Sequence, residues 1–584
     1  MPTWLFTTSW AVLLSWGAVS STGESVRPRR QLRSSRDVVN KASLIPLNDA
    51  VDDLEAMDDR RHLQLTVNQK LKQPRVNQRD RTKLFLTRTV IRCDPLIDLE
   101  SCWREISLTG ENLVLKHQLL GLHALALETD ESTIEDLSRR GFNLTDDKER
   151  STLAVEDSLQ YHDHRSLKSG QQIGYGVDLI RATEVWSQYQ VRGEGVKVCI
   201  MDTGVYSQHP DFEYTHLNGW NSTSNFVVPW NEDLIGHGTH ITGTLAASDN
   251  SIGYIGVAPG VDIYLIRVYN DEGKFYGSDV VAAAEACRDS GANIISMSLG
   301  GQGFDQGEYD IFKTLYYNYG IIAVASSGNT GGPELIYPAS YTNVVSVTAG
   351  DQKKRIPNFA TFNSFVDIAA PGKSMKLDGR LKGFAPSFRH FSSKGVDIPS
   401  TYIGKNSSAA YASLSGTSMA VPHVVGTLAL MKSYAPKATP DELLYALKHS
   451  TQSMASNLDV GMVDALAAVQ MLKAGVNLTS RSTAPCLKAE MTLETDQWGQ
   501  DLAYRLRRIS DNIVLWKGIG LESENNYLES SCVDPKECYE FIIRDTLGDG
   551  LVAPGHIKLT YAGQIELDYG GFGSGGKILF GGGC

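Results

Sequence analysis

Between Gly170 and Gly475, short apolar runs alternate with helical patterns, and this alternation restricts the possible folds more than any other feature of the chain. VKVCIMD, IYLIRV, NIISMSL, IIAVAS and VVSVTA are short, rich in branched residues and separated by segments such as SDVVAAAEACRDS. Strands that are apolar on both faces have to be covered on both faces, and helical crossovers between them bring the chain back in the same direction. The pattern predicts an α/β fold, a parallel sheet with helices on both faces. In such sheets chemistry collects at the carboxyl ends of the strands.

Four places stand out on that frame. Asp202 closes VKVCIMD and is followed by Thr203 and Gly204; Asn329 closes IIAVASSGN and is followed by Thr330 and Gly331. A half-buried carboxylate at a strand end stays ionised only with a hydrogen-bonded partner, although Asx residues beside glycine are also ordinary turn formers. Between them, GHGTHITGTLAA places His237 and His240 at the start of a small-residue helix. The spacing fits a zinc pair, but no Glu follows His237 and no third ligand offers itself, so metal is the weaker reading. In SGTSMAVPHVVG, Ser418 follows Gly416 and Thr417 and opens an apolar run interrupted only by Pro422, about one turn in. A serine there has free backbone N–H groups and the positive end of a helix dipole beside its hydroxyl, as a nucleophile requires. Capping a core helix accounts for the same placement.

The flanks differ from this centre. Residues 1–20, MPTWLFTTSWAVLLSWGAVS, are apolar through Trp16 and end in a small-x-small pattern, which predicts a secretory signal despite the missing basic start. Residues 21–82 are dense in charge and poor in aromatics, the profile of a flexible leader. Residues 83–169 hold strand patterns at LFLTRTVI and GLHALALE and a helix at ESTIEDLSRRG, a small α+β unit. Residues 476–584 turn to period-two strands (AEMTLETD, LAYRLRRI, ECYEFIIRD, HIKLTYAG) with glycine-rich turns, which predicts an all-β sandwich-like domain with a binding or stabilising role. Its DTLGDG loop, with Asp545 and Asp549, is better explained as a solvated turn than as a calcium loop.

Export fits the eight cysteines, which fall in even groups: Cys93 with Cys102, Cys199 with Cys287, and Cys486, Cys532, Cys538 and Cys584. For Cys199 and Cys287, a bridge and two buried thiols are equally compatible with the sequence. Asn143, Asn221, Asn406 and Asn477 lie in glycosylation sequons. A formal charge of -12 disfavours a nucleic-acid partner, and no stretch after the first twenty residues is apolar enough to span a bilayer. A soluble, secreted, monomeric glycoprotein is expected.

DTG at Asp202, GHGTH at His237 and GTSMAVPH at Ser418 resemble the subtilisin-type serine proteases, in the order Asp, His, Ser. The resemblance continues through SMSLGG at Ser296, ASSGN at Asn329, AAPG at Ala369 and GMVDALAAV at Gly461, about half the chain. A G-x-S-x-G esterase elbow is not matched by GTSMA. The resemblance implies a serine endopeptidase acting on polypeptides through an acyl-enzyme, without a catalytic cofactor. Ser418 would be the nucleophile, His237 its base, Asp202 the group orienting the imidazole, and Asn329 an oxyanion donor; His240 would be structural. Ser298, Leu299 and Gly300 would pair with an extended substrate, opposite a wall at Gly273, Lys274 and Phe275. Ile336, before Tyr337 and Pro338, would make the primary pocket shallow. The matching segments hold no acidic cluster of the kind that selects basic residues, and DTG in place of DDG argues against the kexin branch.

The resemblance also implies that residues 83–169 form an inhibitory propeptide of a precursor that cuts itself between about Tyr161 and Gly170. It further implies a structural calcium ion held by Gln171, Asp211, Ser248, Asn250, Ile252 and Tyr254, with Gln171 reaching the loop only after the chain before it is cut. Taken singly, Asp211 is also a turn former and Asn250 a loop residue. The alternative from another class is a catalytically inactive relative kept as a binding scaffold, led by the C-terminal β module.

Overall fold

The computed structural model describes residues 86–584 apart from 110–111, 152–154, 164–169, 223–227, 271, 364, 374–396, 405–407, 456–459, 477–486, 497–501, 510–513, 520, 522–525, 535, 546–550, 552–554 and 570–574. The expected signal and leader, Asn406, Asn477, Cys486 and Asp549 lie outside the described residues.

The apolar runs form a seven-stranded sheet in the order Ile368–Pro371, Val344–Gly350, Ile322–Ser326, Ile294–Met297, Lys197–Asp202, Asp262–Arg267 and His216–Asn221. Every neighbouring pair is parallel. The first of these strands in the chain, Lys197–Asp202, sits inside the sheet. Later strands are added first on one side of it and then on the other, so the order reverses beside its carboxyl end. Such a reversal opens a crevice between diverging loops, and Asp202 stands at its edge.

Alternation along the strands divides the core. Val198, Ile200, Leu265, Ile294, Val324 and Val347 face a layer dominated by helix Thr417–Tyr434, which is buried from Thr417 to Met431. Met201, Ile266, Ile295, Met297, Ala323 and Ala325 face helices Gly277–Asp289 and Gln306–Tyr319. Cys199 is on the second face and is bridged to Cys287 of helix Gly277–Asp289, which settles the choice between bridge and thiols. Closing a loop of this separation, 88 residues, contributes roughly 4–5 kcal/mol in the chain-entropy picture.

Upstream of this core lies a four-stranded antiparallel sheet, in the order Val114–Leu119, Ala124–Thr129, Thr87–Arg92 and Asn143–Asp146. Its helices Leu99–Ser107 and Glu131–Arg139 open on aspartate caps, Asp98 accepting from Ser101 N (2.8 Å) and Asp130 from Thr133 N (2.9 Å). Cys93 is bridged to Cys102. Leu119, Ala124 and Ala126 of the sheet pack into the core cluster of helices Gly277–Asp289 and Gln306–Tyr319.

At the other end, two four-stranded antiparallel sheets enclose a core that includes Met491, Leu493, Leu506, Trp516, Phe541, Ile557 and Leu559. Cys538–Cys584 ties the chain end to this unit. No described helix is long and apolar enough to cross a membrane.

Candidate active site

Strand Lys197–Asp202 delivers a carboxylate and helix His237–Ala246 an imidazole to the same point: His237 Nδ1 lies 2.7 Å from Asp202 Oδ1, both side chains buried. The close approach depends on glycine. A Cβ on Gly238 would lie 2.1 Å from the Gly204 carbonyl oxygen, so an alanine there would push the helix off the strand end, and one at Gly204, where φ is +117°, would meet the Glu232 carbonyl at 2.2 Å.

Asp233, which sequence reasoning missed, locks this geometry. One of its oxygens accepts from Thr203 Oγ1 (3.0 Å), Ile235 N (3.0 Å) and Gly236 N (2.8 Å), and the other from Thr239 N (2.9 Å) and Thr239 Oγ1 (2.7 Å). Thr203 Oγ1 in turn accepts from Gly238 N (2.9 Å). Of the free amides that open the imidazole-bearing helix, Thr239 N is thus satisfied by a carboxylate placed before it and Gly238 N by the hydroxyl that carboxylate holds. An acid three residues ahead of GHG was the available signal.

Burial opposes charge on His237, but the Asp202 carboxylate and its hydrogen bond outweigh it and hold the imidazole's pKa above its ordinary 6.5. His240, one turn on, bonds the Ile398 carbonyl (3.0 Å), and burial pushes its pKa down to about 3, so it is a neutral packing group.

Ser418 is the second residue of helix Thr417–Tyr434. Pro422 stands four residues on and has no N–H to give the Ser418 carbonyl, so that oxygen lacks its helical partner. Ser298 Oγ supplies the bond instead, at 2.8 Å, and the Ser418 hydroxyl donates to the Ser298 carbonyl at 3.4 Å. This reciprocal pair ties the end of strand Ile294–Met297 to the serine. Among the described residues His237 Nε2 is buried without a hydrogen-bond partner, and the two helices carrying His237 and Ser418 pack against each other. Asn329 Oδ1 accepts from both Thr417 N and Thr417 Oγ1, each at 3.0 Å, which fixes the amide and turns Nδ2 toward Gly416.

Leu299 is buried, and Gly301 forms an antiparallel bridge with Tyr337. Ile336 is 2 % exposed and packs under Gly328, next to Asn329, filling space at that end of the crevice. Gly273 turns the chain with φ +76° into strand Lys274–Tyr276.

That strand is already paired. Glu149–Ser151, just after the upstream sheet, runs antiparallel to it, with Lys274 opposite Ser151 and Tyr276 opposite Glu149. Farther on, strand Val155–Asp163 pairs with Ala409–Ser415, setting Val155 opposite Ser415 and Tyr161 opposite Ala412. Residues 161–163, which open the window expected for cutting, are held in that second strand. Glu308, which the sequence reading did not single out, is buried and paired with Arg150.

The six residues expected around calcium converge, with one correction. Asp211 Oδ2 accepts from Tyr254 N (2.9 Å), Asp211 O from Ser248 N (2.7 Å), and Asn250 Oδ1 from Ile252 N (3.2 Å). Gln171 Nε2 already donates to Ser248 O (2.5 Å) and stands 3.4 Å from Asn250 Oδ1, and Gln172–Ile173 pairs with Tyr254–Ile255. Gln171 thus reaches the loop without any cut before it, because the short parallel pairing draws it in.

An acid and an imidazole in contact where a parallel sheet reverses its order, with a serine at the start of the helix packed against the imidazole's own, are the equipment of a serine peptidase, and comparison with known proteins agrees. The chain is 34% identical to subtilisin BL of Lederbergia lenta over 304 residues, 51% of this chain and 100% of the relative. It is 36% identical to thermitase of Thermoactinomyces vulgaris over 266 residues, 45% of this chain and 84% of the relative. The protein is a serine endopeptidase of the subtilisin type. The subtilase family model matches residues 193–470, and the chain belongs to that family.

Proposed function

We propose that the chain is the precursor of a secreted endopeptidase in which Ser418 attacks the peptide carbonyl, His237 takes its proton and passes it to the leaving amine, and Asp202 holds the imidazole with Nε2 toward the serine. The observation that carries this is the 2.7 Å contact of His237 Nδ1 with Asp202, which fixes the tautomer the base needs. The Asn329 amide and the Ser418 N–H receive the developing oxyanion. Asn329→Ala is expected to lower kcat by about 10²–10³ with little change in KM, read by steady-state kinetics on one peptide. The test of the whole assignment is digestion of a denatured protein mixture by the secreted protein, with new termini sequenced; absence of new termini overturns it. The inactive-scaffold alternative has no support, since all four positions are intact.

Residues 83–169 act as the enzyme's own inhibitor. Supporting this, Arg88 bonds Asp147 (3.1 Å), Ser278 (2.7 Å) and Asp279 (3.2 Å), and Asp147 accepts from Ser278 N (2.9 Å) in the first turn of helix Gly277–Asp289. The amino-terminal unit thus supplies the cap of a catalytic-domain helix, while Glu149–Ser151 fills one cleft wall. Three bridges agree with an oxidising destination. Nothing favours an assembly, and a monomer is proposed.

Calcium is assigned a structural place. Among the described residues Asp211 Oδ1 is buried without a hydrogen-bond partner, and burial pushes the carboxyl up to about 6, a cost that a cation offsets. Asp211, Asn250 and the carbonyls of Ser248, Ile252 and Tyr254 offer oxygen only, and turning the Gln171 amide adds another, a set suited to calcium. At a hundredfold excess over Kd, a bound ion adds about 2.7 kcal/mol. Chelation is therefore expected to lower Tm by about 5 °C, and Asp211→Ala to remove the difference. Equal Tm of the unaltered enzyme in chelator and in millimolar calcium contradicts the site.

A further inference from the structure

The segment lying along the cleft wall is anchored alternately on its two sides, as an extended chain should be. Glu149 bonds Lys274 Nζ (2.7 Å) and the Tyr276 hydroxyl (3.1 Å). Lys148 bonds the Phe304 carbonyl (2.8 Å). Arg150, pointing away from Glu149, enters a closed pocket: its side chain is 1% exposed and that of its partner Glu308 is 0% exposed. Arg150 Nη1 meets Glu308 Oε1 at 2.5 Å and Nη2 meets the Gly303 carbonyl at 3.1 Å. The Tyr341 hydroxyl holds the other carboxylate oxygen at 2.9 Å. Gly301 makes room for the stem, since a Cβ there would lie 2.8 Å from Arg150 Cγ.

The pocket belongs to the catalytic domain and is reached along the substrate edge. Ser298 touches Ser418, and Gly301, three residues farther along the same segment, touches Arg150. Three residues of extended chain span about 10 Å, and the chain runs forward from Arg150 toward Val155 opposite Ser415. An arginine seated here therefore precedes the bond presented to Ser418 by a few residues.

We infer that this enzyme selects substrates with an arginine a few residues on the acyl side of the cut bond, through the pocket formed by Glu308, Tyr341, Gly301 and the Gly303 carbonyl. Arg150 is that pocket's first occupant. The inference rests on the peptidase reading above and adds the substrate class to it. Two donors in divergent directions suit guanidinium and not ammonium. Burial raises the pKa of the Glu308 carboxyl and the guanidinium beside it opposes that rise, so a cation seated there is what favours the ionised form.

The test uses enzyme purified after expression of the full chain and quenched fluorogenic peptides spanning residues 147–157, DKERSTLAVED, with Arg150, Arg150→Lys or Arg150→Ala. For the native peptide, kcat/KM is expected to exceed that of the alanine peptide by about 30-fold or more, as for a desolvated charge pair, with the lysine peptide between them. Glu308→Gln is expected to abolish that ratio, so that the native and alanine peptides are cleaved with equal kcat/KM. Because Glu308→Gln can fail to fold, the ratio measured on the unaltered enzyme stands as evidence alone. Equal cleavage of the three peptides overturns the inference and leaves the peptidase standing. Refusal of all three by an enzyme that digests denatured protein also overturns it, whereas failure to digest any substrate removes both readings.

Discussion

Ser418→Ala is expected to reduce turnover by about 10⁶, the scale on which a nucleophile acting as one unit with its base is lost, with the fold retained. The side chain is small and buried, and the bond that ties its helix to Ser298 comes from the backbone carbonyl, which alanine keeps. The variant should secrete with unaltered circular dichroism and Tm, and accumulate with its amino-terminal unit uncut. Substantial peptidase activity in a variant shown by mass to be homogeneous contradicts the assignment, and so does normal processing in the absence of any other protease.

Asp202→Asn carries the second largest effect, about 10⁴ in kcat, because the amide stabilises neither the required tautomer nor the imidazolium. It also carries a signature that misfolding cannot mimic. Burial lowers the pKa of His237 and Asp202 raises it by more, so the native acid limb of kcat/KM lies above 6.5 and activity falls as pH drops through it. With that carboxylate gone, the lowering effect of burial is opposed only by the smaller influence of Asp233, and the residual limb should move to lower pH. The linked stability has the opposite sense. A raised imidazole pKa stabilises the folded state fully below the unfolded value and ceases to do so as pH rises through the folded value. A residual limb unmoved or moved upward contradicts this role for Asp202.

The sheet, its two covered faces and the strand-end residues were legible because branched apolar runs and glycine-flanked polar residues are local signals. VKVCIMD became a central strand with Asp202 at its end, and SGTSMAVPH became a helix start with Ser418 in its first turn. What escaped depends on distant partners. Asp233 is a loop acid until Thr203 and the opening of helix His237–Ala246 are folded onto it. Glu308 has the sequence of an exposed first-turn acid, and only the arrival of Arg150, 158 positions earlier, shows that it is buried. Gln171 was expected to be withheld from its loop, but a two-residue pairing with Tyr254–Ile255 brings it there. Nor does the sequence show that Val155 stands opposite Ser415, since that follows from the register of Val155–Asp163 on Ala409–Ser415.

The most direct test of the central claim is covalent labelling of the secreted enzyme with a serine-directed phosphonate, the adduct being located by peptide mass spectrometry. One adduct per chain on Ser418, formed in step with loss of peptidase activity and absent from His237→Ala, is the predicted result. An adduct on another serine, or full activity in protein labelled at Ser418, would contradict it.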